Sequence, residues 1–227
     1  MSADQVTEFR SLTMKAAYLG MDRVDIAYSV KELARNMSQP TWRDVRALKR
    51  LVRYLVHRPR LVQDYPWQAL PKTLHVEVDS DFAGCELTRK STSGFSAFLG
   101  KHCLATKCKH QSVIALSSGE AEFYAGVSGI ARAIGLRQLL ADWVVDVRIV
   151  VGTDSSAGLS LTTRFGLGRA KHINTQYLWA QDVVARGEVR VIKVPTEENT
   201  ADLFTKHLSE SRIIDLLRRM GMRFPEE

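Results

Sequence analysis

Acidic residues stand at four separate places in this 227-residue chain where an element begins, ends or presents a face. Asp79 closes the alternating stretch Leu74-His75-Val76-Glu77-Val78, and Asp154 closes the β-branched run Arg148–Thr153. Glu122 lies early in a long helical stretch that starts at Ser117, and Asp202 follows the loop that begins at Pro195. Aspartates at the carboxyl ends of strands are well placed for binding, because open α/β sheets gather ligands at that edge. Glu120 competes with Glu122, but Ser117-Ser118-Gly119-Glu120 has capping-box spacing, which turns Glu120 back onto the helix start. Glu122 falls outside that box. It shares a stripe with Gly119, Gly126 and Gly129, glycines that would let this face approach the sheet, while Phe123, Val127, Ile130 and Ile134 fill the adjacent stripe. Taken singly, each acid has an ordinary explanation as a turn residue, surface acid, strand-end polar group or helix cap. Taken together, they form a hard oxygen set suited to Mg²⁺ or Mn²⁺ and not to zinc. Two such ions about 4 Å apart can bind both the attacking water and the leaving oxygen of a phosphodiester, so no side-chain nucleophile is required. Ser117 and Ser118 have no G-x-S-x-G setting that would suggest one.

Positioning these acids requires a sheet and a helix, and the pattern from residue 73 onward supplies both. Strands are expected at Leu74–Val78, Phe95–Leu99, Cys103–Cys108, Arg148–Thr153 and Val189–Val194, with helices from Ser117 to about Trp143 and from Ile173 to Arg186. The implied fold class is α/β, a mixed five-stranded sheet flanked by helices. Before it, residues 1–64 read as a small helical segment. Phe9, Leu12, Ala16 and Leu19 make one apolar stripe, and Ile26, Val30, Leu33 and Met37 make another. Pro40 breaks the second helix, and Thr41-x-x-Asp44 resembles a capping box for a third. That third helix points Val45, Leu48, Val52 and Leu55 inward and Arg43, Arg46, Lys49, Arg50 and Arg53 outward. The division expected along the chain is a helical segment 1–64, a linker 65–72 carrying two prolines, a domain 73–208, and a C-terminal helix and tail 209–227.

Charge points the same way. The net charge is +7, and residues 1–70 hold 12 Lys/Arg against 7 Asp/Glu, so the excess concentrates in the helical segment, where it suits a polyanionic partner. No apolar run is long enough for a membrane span, and the N-terminus lacks a secretory pattern, so an intracellular protein is expected. No G-x-G-x-x-G or P-loop suggests a small-molecule cofactor. His102-Cys103 and Cys108-x-His110 fit no standard zinc spacing, and the three cysteines read as ordinary thiols.

Five blocks in order then resemble the ribonuclease H domain of Ty1/copia-type retrotransposon Pol polyproteins: residues 79–84, 89–94, 115–125, 171–173 and 194–206. Residues 9–12, 23–28 and 49–55 resemble the helical end of the preceding reverse transcriptase. The resemblance implies a sheet in the order 3-2-1-4-5 with its first three strands antiparallel. It places the metal-binding acids at Asp79, Glu122, Asp154 and Asp202, holding two Mg²⁺ ions with Mn²⁺ as a substitute. It implies cleavage of the RNA strand of an RNA–DNA hybrid, a partnership with the rest of a reverse transcriptase, and residence in a cytoplasmic virus-like particle or the nucleus. Arg89, Lys90, Lys107, Lys109, Arg169, Lys171 and His172 are candidate contacts to the nucleic-acid backbone. Phe82 stands where the family commonly has Trp, and no Y-x-D-D polymerase motif is present. The competing reading is a degenerate or truncated fragment that binds nucleic acid or a partner without cutting.

Overall fold

Alternation builds the central strand. In β2, Thr73–Ser80, the even-numbered Leu74, Val76 and Val78 are buried while His75 and Glu77 are half-buried on the opposite face. The strands before and after it in chain order are β1 (Val62–Gln63), β3 (Thr92–Leu99), β4 (His102–His110), β5 (Arg148–Thr153), β6 (Val189–Lys193) and β7 (Met222–Arg223). The helices are α1 (Ala3–Leu19), α2 (Ala27–Arg35), α3 (Trp42–His57), α4 (Ser118–Asp142), α5 (Ser156–Thr163), α6 (Trp179–Ala185) and α7 (Glu210–Arg219). This computed structural model describes residues 1–166, 172–173 and 175–225.

The main sheet runs β4-β3-β2-β5-β6. Counting its five strands in chain order gives 3-2-1-4-5, with β2, β3 and β4 antiparallel and β5 and β6 parallel to β2. This is the mixed ribonuclease H-like sheet that the resemblance implies. α4 lies across β2, β3 and β5 and closes the larger core, where Phe123, Ile130 and Ala133 meet Leu74, Val76, Phe95 and Ile149. Gly129 is what lets α4 come so close, because a Cβ there would stand 2.3 Å from Val78 Cγ1. The other two glycines of that stripe do something different from what was expected. Gly119 abuts Ala157 and Gly126 abuts Thr162, so they seat α5 on α4 and do not meet the sheet.

The Thr41 capping box forms with Asp in the usual Glu position: the Asp44 carboxylate accepts from the Thr41 amide at 2.7 Å and from its hydroxyl at 2.6 Å. The apolar stripes of the helical segment are narrower than the periodicity suggests. Phe9, Thr13 and Ala16 are buried in α1 while Leu12 and Leu19 are exposed, and in α3 Leu51 is buried in place of Val52. α1 and α3 both pack on the short α2, so each offers it only a thin ridge. The helix expected from Ile173 to Arg186 is a 3₁₀ turn at Thr175–Tyr177 followed by the short α6.

The helical segment is also docked on the sheet. A second core joins Val24 to Phe98, Cys103, Leu203, Phe204, Leu216, Leu217, Met220 and Met222. β1 pairs antiparallel with β7, and Gln68 in the proline-containing stretch donates to Leu99 O and accepts from Lys101 N. A buried ion pair locks the turn between α1 and α2 to the end of α3. Arg23 donates twice to Asp25, at 2.9 and 2.7 Å, and also to the carbonyls of Arg58 and Pro59, while the Tyr54 hydroxyl donates to Asp25 at 2.7 Å. The Asp25 side chain is fully buried, so its removal strands a buried guanidinium. Asp25→Ala is expected to destabilise the chain by roughly 3–5 kcal/mol in urea denaturation, and Tyr54→Phe by about 1 kcal/mol.

Candidate metal centre

Register decides where two of the acids emerge. β2 and β5 are parallel and Val78 pairs with Thr153, so the residues that follow, Asp79 near the end of β2 and Asp154 just past β5, stand side by side. Glu122 comes from the second turn of α4, seated between β2 and α5; a Cβ on Gly158 of α5 would lie 2.8 Å from Glu122 Cβ. Asp79, Glu122 and Asp154 each offer a carboxylate oxygen within 4.8 Å of the other two. Among the described residues, this is the one group of three or more potential ligands that converges so closely, and neither Cys103 nor Cys108 belongs to one. Glu120, as the capping spacing suggests, is occupied elsewhere. Its backbone amide donates to Ser117 Oγ, and its buried carboxylate accepts from Leu116 N at 2.9 Å, Tyr124 OH at 2.5 Å and His172 Nε2 at 2.8 Å.

Three carboxylates packed together repel one another, and burial sharpens this. Burial, followed by the charges of Asp79 and Asp154, pushes Glu122 up to about 8, with only a partial offset from Ser80. Burial also raises Asp79, the Thr205 hydroxyl donating to its Oδ2 opposes that rise, and the charges of Asp202 and Asp154 add to it. Glu122 Oε2 is buried with no hydrogen-bond partner. An orphaned carboxylate oxygen facing two further acids fits a hard divalent cation, which would satisfy the oxygen and cancel the repulsion.

Asp202 stands apart from this trio. It sits on a 3₁₀ helix, Thr200–Phe204, and not at the start of an α-helix. Its carboxylate is paired with Lys206 Nζ at 2.7 Å and Arg212 Nη2 at 3.3 Å. The loop carrying it is fastened to β2, because Asn199 Nδ2 donates to Val78 O and the Glu77 carboxylate accepts from both the amide and hydroxyl of Thr200. Glu77, Asn199, Thr205 and Lys206 were not singled out from the sequence. Three of them lie in the residue 194–206 block, but nothing in their spacing showed which strand they would face.

Of the candidate backbone contacts, Arg89, Lys107 and Lys109 are exposed and Lys90 is half-buried, the two lysines at 107 and 109 sharing one face of the edge strand β4. None of the four has an ion-pair partner among the described residues. His172 is engaged with Glu120, and Arg169 and Lys171 lie outside the described residues. Among the described residues, no helix is long and apolar enough to cross a membrane.

No family model matches the chain. The Retrovirus-related Pol polyprotein from transposon RE1 of Arabidopsis thaliana is 29% identical over 221 residues, 95% of this chain and 15% of its own length. That from transposon TNT 1-94 of Nicotiana tabacum is 30% identical over 202 residues, 88% of this chain and 15% of its own length. Over most of its length this chain is similar to Pol polyproteins of copia-type retrotransposons. It spans about a seventh of those two relatives. A third relative of this Pol-related chain, the Secreted RxLR effector protein 161 of Plasmopara viticola, is 32% identical over 114 residues, half of this chain and 80% of its own length. The solved LC11-RNase H1, in complex with RNA/DNA hybrid, is matched over 59% of this chain and 94% of its own, at 14% identity and a TM-score of 0.39.

Raised carboxylate pKa values give a sign to the pH response of the metal-free chain. The folded state binds protons more tightly than the unfolded one, so stability falls as pH climbs from the ordinary carboxylate range to about 8. In chelator, the thermal midpoint is expected to drop between pH 5 and pH 8, and Mn²⁺ is expected to raise it more at pH 8 than at pH 6. Glu122→Gln should raise the metal-free midpoint and lose the Mn²⁺ response. A pH-independent midpoint in chelator would contradict the arrangement.

Proposed function

We propose that this chain is a ribonuclease H: it cuts the RNA strand of an RNA–DNA hybrid with two divalent ions, Mg²⁺ or in its place Mn²⁺. The observation that carries this reading is the convergence of Asp79, Glu122 and Asp154 at one edge of a ribonuclease H-like sheet. These three residues would hold the ions, with Asp202 as a fourth carboxylate close enough to raise Asp79 by its charge. When bound, the ions supply Lewis acidity and an activated water for in-line displacement at phosphorus.

The remaining work falls to the chain itself. Thr205 fixes one oxygen of Asp79, Asn199 and Thr200 tie the Asp202 loop to β2, and Gly129 and Gly158 keep Glu122 pressed between sheet and α5. Such packing holds the carboxylates in place before substrate arrives, so little reorganisation is needed during reaction. The exposed Arg89, Lys107 and Lys109, with Lys90, suit the phosphates of the duplex. Selectivity for hybrid would come from 2′-hydroxyl contacts on the RNA strand, and the products would carry 5′-phosphate and 3′-hydroxyl ends. Residues 73–208 would be the catalytic domain, residues 1–64 the docked end of a reverse transcriptase, and the setting an intracellular virus-like particle or the nucleus.

The test is cleavage of a hybrid labelled on each strand in turn, beside duplex DNA and duplex RNA. Metal-dependent cutting of the hybrid's RNA alone is expected. Asp154→Asn should slow it by more than about 100-fold, since changing even the partners of a metal ligand costs about 10–100-fold. Tight hybrid binding with no cutting in either metal would replace this reading with that of a binding module.

A further inference from the structure

Two cations hold the buried carboxylate of Asp202, and they are not equivalent. Arg212 is fixed on α7 by three further contacts: Nη1 donates to Glu197 O at 2.7 Å and to Asp215 at 3.1 Å, and Nη2 donates to Thr196 O at 3.0 Å. Lys206 has no second ion-pair partner among the described residues, and its side chain is 47% exposed while that of Asp202 is 4% exposed. Its ammonium lies 2.7 Å from Asp202 Oδ1, a buried oxygen with no other partner among the described residues. Asp202 and Lys206 are four residues apart, but the residues between them form a 3₁₀ helix, so this is not the surface ion pair of an α-helix, which contributes little. The charges of Asp79 and Asp154 attract the same ammonium. Lys206 is therefore a half-exposed cation on a flexible stem, within the field of all three aspartates.

We propose that Lys206 is a tethered counter-ion of the acidic centre, which neutralises Asp202 in the metal-free chain and gives it up when a divalent ion arrives. This rests on the metal-binding reading above. Lys206 is then a positioning residue: it decides when the fourth carboxylate becomes available, and it sets metal affinity through competition. Arg212 keeps Asp202 aimed while the exchange occurs.

The experiment is calorimetric titration of the full chain and its variants with Mn²⁺ alone, without nucleic acid. Lys206→Gln removes a positive charge beside an arriving dication, so Mn²⁺ binding is expected to tighten by at least about fivefold, while the thermal midpoint in chelator falls. Lys206→Arg keeps the charge and should stay within about twofold of the unaltered chain. A merely structural lysine would not move stability and metal affinity in opposite directions. Unchanged or weaker Mn²⁺ binding in Lys206→Gln overturns the proposal while leaving the metal reading intact. An unaltered chain that binds no Mn²⁺ sinks both. If Lys206→Gln does not fold, the ¹³Cε signal of Lys206 in the unaltered chain decides: Mg²⁺ should shift it toward that of a free lysine, and a signal that stays in place counts against the exchange.

Discussion

Parallel pairing of β2 with β5 is the constraint on which the rest of the molecule turns. From the paired Val78 and Thr153, each of these neighbouring parallel strands continues into an aspartate. The pairing sets two negative charges beside each other, and α4 then adds a third from above. Bringing like charges into a buried position opposes folding, so the surrounding structure must overcome that repulsion. It does so with apolar contact: Val78, the strand residue next to Asp79, packs against Gly129, and the α4 face beyond it fills the larger core. The same contacts that make α4 a stable helix therefore fix Glu122 against its electrostatic preference.

Around that centre the fold spends its polar groups in a consistent way. Four largely buried acids outside the trio are satisfied locally. Glu120 gathers a backbone amide, a tyrosine and a histidine, and Glu77 holds Thr200. Asp44 closes a helix cap, and Asp25 meets Arg23 and Tyr54. Glu77, Asp44 and Glu120 are accordingly held below the usual carboxylate range despite burial, with hydrogen bonds to the ionised form outweighing desolvation. The contrast with Asp79 and Glu122 separates acids whose hydrogen bonds outweigh desolvation from acids whose like-charged neighbours add to it.

Much of this could be read from residues alone, because the signals were local. Alternation in Leu74–Val78, the β-branched run before Asp154 and the capping spacing at Ser117 each depend on a few neighbouring positions, and each corresponds to the element observed. What escaped reading was long-range. Gly119 and Gly126 share a stripe with Gly129, but whether a helical glycine meets a sheet or another helix depends on where α5 lands. The ridge of α3 turns toward Leu51, where it meets the short α2. Asp202 was legible as an acid near a helix start, but its two cations come from positions whose spacing says nothing about distance in a 3₁₀ turn and the helix after it.

The second core carries a consequence for how the chain is made. Val24 and Leu61 belong to the same apolar cluster as Leu216, Met220 and Phe224, and β1 pairs with β7. During synthesis the first helices emerge long before the residues that cover them. Contacts so far apart in sequence close late, because the loop entropy must be overcome before the contact can reward it. The apolar seam at Val24 and Leu61 thus stays uncovered while the intervening residues are made, until Leu216, Met220 and Phe224 close over it. An interruption anywhere between them leaves the seam open to chaperones or to other nascent chains.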